Sequence, residues 1–178
     1  MKLRVPIPKE LSHLKLDVRG YPIPYFVPIF NGKPEFRFAS PVKVMECAER
    51  HLCGICGKKL HKEAMYFIGG PMSFKNGVST DAPMHRVCAE FSMAVCPYIF
   101  FEKTDRRADE EKGLVSYSHL DDKPPLLVLM KTKKYRSIKE PISNNHLFKF
   151  TAVKHWVYRY INGELSATAA QLGFVKGE

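Results

Sequence analysis

The sequence predicts an α+β fold gathered around a cluster of metal-ligating side chains, and three observations point to it. Two stretches, about 41–51 and 83–96, repeat apolar residues at helical spacing. Two others suit antiparallel strands: 126–130 is continuously apolar, and 147–160 is rich in β-branched and aromatic residues. Between the helical stretches, Cys53-Gly54-Ile55-Cys56-Gly57 is answered by His85-Arg86-Val87-Cys88, two pairs of soft ligands at metal-binding spacing.

Taken in order, residues 1–39 read as a proline-rich arm. Pro6, Pro8, Pro22, Pro24 and Pro28 exclude a long helix, and an extended segment or edge strand over the core is the expectation. Tyr21, Tyr25 and Phe26 offer a second reading, a platform on which bases stack. Asn31-Gly32 marks a turn and Glu35 to Ala39 a short strand. Ser40-Pro41 supplies an N-cap and a first-turn proline for a helix that delivers the chain to Cys53. Lys59 to Ile68 and Met72 to Val78 read as two strands around Gly69-Gly70-Pro71, or as one hairpin closed at Asn76-Gly77. Ser79 to Pro83 then opens the second helix, which Pro97 ends. Residues 101–125 are a charged loop or linker. In 126–178, Leu126 to Met130 is a buried strand, Leu147 to Tyr160 a longer antiparallel partner, and Ser166 the cap of a short C-terminal helix through Leu172. The four regions, with 40–100 as the metal-binding part, are expected to form one compact domain.

Cysteine thiolate and histidine nitrogen are the ligands zinc prefers, and positions i and i+3 of a helix share a face, so His85 and Cys88 can reach one ion with Cys53 and Cys56. The 28 residues between Cys56 and His85 leave room for a hairpin. Knuckle, hairpin and ligand-bearing helix resemble a treble-clef zinc finger. Buried unliganded cysteines and a redox Cys-x-x-Cys are the competing readings. Cys47 and Cys96 are assigned to core packing. His51 and His61 are the substitutes should His85 point away. Four protein ligands fill a tetrahedral shell, so the zinc is expected to be structural and no catalytic residue is assigned.

The chain carries 28 basic and 18 acidic residues, a formal charge of +10. The excess sits at the two ends: residues 1–60 hold 11 basic and 5 acidic side chains, 61–122 hold 7 and 10, and 123–178 hold 10 and 3. Such a balance favours anionic partners. Lys131, Lys133, Lys134, Arg136, Lys154, Trp156 and Arg159 are the candidate nucleic-acid contacts, as basic and aromatic residues interleaved on paired strands; a half-buried sheet with solvated lysines is the plainer alternative. No signal-like apolar run opens the chain and no stretch has the length of a membrane span. With an odd cysteine count, this favours a cytoplasmic protein in a reducing compartment and no membrane partner. No phosphate-binding glycine loop, nucleophile elbow or dinucleotide fingerprint is present.

Arg19-Gly20-Tyr21-Pro22-Ile23-Pro24, Leu52 to Gly57, Ile68 to Met72, Ala82 to Tyr98, Leu129 to Arg136 and Trp156 to Thr168 resemble the landmarks of a group of small bacterial and phage proteins. The likeness spans about residues 18–172 and implies a cytoplasmic single-domain protein with no assigned activity. Three functions follow as expectations: a zinc-stabilised nucleic-acid-binding module, a phage or mobile-element factor that docks on a host protein, or a metal-dependent hydrolase or nuclease.

Overall fold

Ser40 and Pro41 start a helix as their chemistry requires. In the computed structural model, which describes residues 3, 5–100, 126–139 and 146–166, α1 spans Pro41–Arg50. The Ser40 hydroxyl accepts from the Lys43 amide at 3.5 Å, and His51 ends the helix in the left-handed region at φ 52°. Val44, Cys47 and Ala48 form its buried face. The charged loop expected at 101–125 lies outside the described residues, as does the C-terminal helix beyond Ser166.

Before α1 the arm is stapled rather than loose. It carries a short 3-10 turn at Lys9–Leu11, and Leu11 is fully buried. β1 (Ile29–Phe30) and β2 (Lys33–Pro34) pair across Asn31-Gly32, where both turn residues take positive φ. The strand expected at Glu35 to Ala39 does not form. The Phe38 amide bonds back to the Glu35 carbonyl at 3.2 Å and Arg37 reaches the Glu35 carboxylate at 2.7 Å, so the chain turns there.

The expected hairpin over 59–78 is also corrected. β3 (Met65–Gly69) is a strand, but Pro71–Asn76 is a helix, α2, with Gly70 at its N-cap and Gly77 at its C-cap, φ 63°. Proline is favoured at a first helical turn and glycine just past the last one, and these two residues bracket α2 as such a pair. Asn76-Gly77 is therefore a helix end. β4 (Val78–Ser79) leaves for another sheet.

The next helix, α3 (Arg86–Val95), begins three residues later than 83. Met84 is held extended by a bridge to Tyr66, with reciprocal amide–carbonyl bonds of 2.8 and 2.9 Å. His85 rather than Ser79 stands at the N-cap. Ser79 is used locally, its hydroxyl accepting from the Asp81 amide at 3.1 Å. Pro97 stops α3 and opens the short α4 (Pro97–Phe100).

The C-terminal half contributes β5 (Leu126–Thr132), β6 (Tyr135–Lys139), β7 (His146–Phe150), β8 (Lys154–Ile161) and β9 (Glu164–Leu165). The single strand expected over 147–160 is two strands in different sheets. One antiparallel sheet has the order β3-β5-β8-β9 and the other β4-β7-β6. Thr132 stands at the crossing: 1% exposed, its hydroxyl lies 2.8 Å from the Lys134 carbonyl and 2.9 Å from that of Thr151. Those carbonyls belong to the two segments where the chain changes sheets, and the hydroxyl lies within donating distance of both. Because β5 pairs with β3 and β7 with β4, residues 126–160 are not a separate β element.

β3 and β5 are covered on both sides, which is why Met65 to Ile68 is continuously apolar and buried. One face packs Tyr66, Ile68 and Leu129 against Leu11 and the Ala89, Phe91 and Met93 side of α3. The other packs Phe67, Val128 and Met130 against Val44, Cys47 and Ala48 of α1 and against Phe148 and Phe150. Phe67 and Phe150 stack with centroids 4.2 Å apart and planes 7° from parallel. The metal-ligand cluster belongs to the first of these cores.

Candidate metal centre

Cys53 and Cys56 sit on a tight knuckle. The Cys53 amide bonds to the Lys58 carbonyl and the Gly57 amide to the Cys53 carbonyl, both at 2.8 Å, and Gly57 takes φ 71°. Glycine is required at 57 by that backbone, and by the Tyr25 ring, which a Cβ there would meet at 2.8 Å. At 54 the reason is approach: a Cβ would lie 2.6 Å from the Phe26 ring.

His85 and Cys88 come from the start of α3. The N-cap position turns the imidazole toward the knuckle, and Cys88, three residues on, lies on the same side. The ligand atoms of Cys53, Cys56, His85 and Cys88 all fall within 4.8 Å of one another. His85 Nδ1 is 3.3 Å from the Cys56 sulfur, and the His85 amide donates to the Cys53 sulfur at 3.4 Å. Cys53 and Cys88 are fully buried and Cys56 nearly so. Three sulfurs and one nitrogen at such separations are able to bind a metal ion.

The surroundings orient the ligands. Nε2–H of His85 donates to the Lys59 carbonyl at 2.9 Å, which leaves Nδ1 as the nitrogen facing the sulfurs. Three successive knuckle carbonyls are taken by the arm: Phe26 N–H donates to Gly54 at 3.0 Å, Tyr25 N–H to Ile55 at 2.8 Å and His13 Nε2–H to Cys56 at 2.9 Å.

The electrostatics are those of groups that share protons. Hydrogen bonds from Cys53 and Cys88 hold the Cys56 thiol far below its ordinary range. The contact with Cys53, then that with Cys56 and burial, push Cys88 in the opposite direction. His85 is raised to about 10 by Cys53 first and Cys56 second. A thiol that ionises readily thus stands next to an imidazole that holds its proton, and a divalent cation favours the thiolate form of a sulfur that coordinates it.

No protein-family model, curated protein or solved structure matches the chain. The metal-binding assignment therefore stands on the cluster itself.

The remaining candidates fall into place around it. His61 lies edge-on to His85 with centroids 5.5 Å apart but offers no atom to the cluster. His51 turns away to Tyr135, 5.3 Å between centroids. Cys47 is buried under α1, where burial first of all pushes its thiol up to about 12. Tyr25 and Phe26 lie on the knuckle and Tyr21 is buried, so these rings are not an open platform for bases.

The seven candidate nucleic-acid residues do not share one surface. Lys131 and Lys154 are direct neighbours across β5 and β8, and Trp156 follows on the same side. Trp156 is half-buried: it stacks on Tyr66 at 6.3 Å, with Lys154 and Arg86 over its ring at 5.0 and 5.1 Å. Arg159 points to the opposite side of that sheet. Lys133 meets Glu63 at 3.3 Å, and Arg136 lies on β6, in the second sheet. No helix among the described residues is long and apolar enough to cross a membrane.

His13, the Lys59 carbonyl and Arg86 are site residues the sequence did not flag. His13 acts 43 positions from Cys56, and no local pattern announces such a contact.

Proposed function

We propose that Cys53, Cys56, His85 and Cys88 hold one structural zinc ion, and that the protein is a small basic binding module for nucleic acid. The convergence of three sulfurs and one imidazole nitrogen within 4.8 Å is the observation that carries the zinc reading. Soft donors with no carboxylate in the set favour zinc over magnesium or calcium, and four protein ligands leave zinc no open position for a reacting water. The knuckle, the single Tyr66–Met84 rung and α3 then amount to a treble-clef finger in which α2 and β4 are inserted within the hairpin. The basic C-terminal strands supply the nucleic-acid reading through their excess of cations.

A second reading, docking on a protein, is favoured by Met72 and Phe74 of α2 and Val157 and Ile161 of β8. All four side chains are exposed, and Phe74 contacts His155 of β8 at 4.4 Å between centroids.

Elemental analysis of the purified full chain tests the zinc reading, and a filter-binding titration against DNA at rising salt tests the partner. One zinc per chain and an affinity that falls steeply with salt are the expected results. A purified chain without zinc whose melt is unmoved by chelation overturns the first, and binding that is absent or flat with salt overturns the second.

A further inference from the structure

Between Leu126 and Ser166 the described residues hold eight basic side chains, five in 126–139 and three in 146–166, against one acidic side chain, Glu164. Strand register sorts these cations by face. Val78, Lys149 and Arg136 are direct neighbours across β4, β7 and β6, and Leu147 pairs with Ile138. Successive residues of a strand point to opposite sides. Phe148 and Phe150 are buried on the inner side, so Lys149 and Arg136 face outward, and both are exposed. Lys134, exposed, stands just before β6. None of these three has a carboxylate partner among the described residues, unlike Lys133 with Glu63.

What this outer face lacks is as specific as what it holds. The rings of Tyr135, Phe148 and Phe150 all pack inward around Phe67. The outward strand residues are cations and aliphatics. Binding a single strand without sequence preference relies on aromatic rings that stack its bases. Duplex RNA is recognised largely by shape and by contacts to phosphates and 2′-hydroxyls that both donate and accept, and the side chains on this face can meet only the accepting role. A DNA duplex keeps its bases stacked inside and presents phosphates, which need cations alone.

We infer that the outer face of the β4-β7-β6 sheet binds the phosphate backbone of double-stranded DNA, with Arg136 and Lys149 as the central contacts and Lys134 beside them. This rests on the nucleic-acid reading above and sharpens it: the ligand is a duplex, held without sequence preference. Trp156 takes no part.

Fluorescence anisotropy on the full zinc-loaded chain decides it, with two unrelated short DNA duplexes, a single strand of equal length, an RNA duplex and polyglutamate as ligands. The Arg136→Gln/Lys149→Gln double variant is compared with Lys9→Gln/Lys33→Gln, which removes the same charge from exposed positions of the arm. Both DNA duplexes should bind alike and more tightly than the other ligands. The slope of log affinity against log salt should shrink by about 2 in the first double variant and stay unchanged in the second, at ~0.9 per phosphate contact. Equal losses in both variants, or a preference for single strands or duplex RNA, overturn the inference and leave nucleic-acid binding standing. Tighter binding of polyglutamate makes the face a site for acidic protein segments and overturns it. No binding to any nucleic acid overturns the inference and the parent reading together.

Discussion

Losing the metal should uncouple the knuckle from α3, and the size of that effect follows from chain topology. The ligand pairs are separated by 28 residues. A cross-link closing a loop of about 30 residues restricts the unfolded chain by ~3.6 kcal/mol. Against a typical total of about 5–15 kcal/mol that is a large share. For a chain of this length it corresponds to a fall in Tm of roughly 7–14 °C. This is a lower bound, because structural zinc sites bind with about 10–16 kcal/mol, all of it coupled to folding. The arm adds to the loss, since Phe26, Tyr25 and His13 are anchored on knuckle carbonyls that keep their positions only while the knuckle does. Far-UV circular dichroism melts of wild type before and after chelation, and of Cys56→Ser, measure the effect, alongside zinc content by a colorimetric chelator. Cys47→Ser is the control: it loosens a buried site outside the cluster and should retain one zinc. A Cys56→Ser protein that melts with wild type, or a chelated wild type whose melt is unmoved, refutes the reasoning.

Other outcomes can be read from single contacts. His13→Ala removes the bond to the Cys56 carbonyl and should cost about 1 kcal/mol, seen as faster zinc loss to a competing chelator with stoichiometry unchanged. Gly77→Ala puts a Cβ 2.3 Å from the Phe150 carbonyl oxygen at φ 63°, so its Tm should fall well below that of Gly32→Ala, which meets only open space at φ 75°. Phe67→Ala empties the centre of the second core and should cost about 3–5 kcal/mol in urea unfolding. Burial raises the Asp17 carboxyl, but the Tyr21 and Arg19 amides and the Arg19 guanidinium outweigh it and hold it below its ordinary value. A carboxyl lowered on folding stabilises above its unfolded pKa and ceases to as pH falls through the folded one. The stability gap between wild type and Asp17→Asn should therefore close as pH is lowered below about 4.

Much of the candidate site was legible along the chain because its signals are local. Cys-x-x-Cys and His-x-x-Cys are spacings within one turn of backbone, and Ser40-Pro41 names the start of α1 through the hydrogen bonds that a serine and a proline can and cannot make. The helix at 71–76 was missed: Pro71 and Gly77 mark its ends, but the same residues also satisfy a turn. The choice between them fell to packing, since β3 finds its partner in β5 and not in the segment that follows it.

The sequence by itself determined the ligand types, their spacing, the α+β character and the cationic excess of the C-terminal strands, because each is a property of residues close together in the chain. Only the tertiary structure decided that the arm clamps the knuckle, that the chain passes from one sheet to the other after Thr132, and which cations face outward together. Those outcomes depend on pairing register, and a shift of one residue moves every side chain of a strand to the other face. Lys149 and Arg136 meet because β7 and β6 pair in one register, while Trp156 is carried by β8 against the edge of the other core.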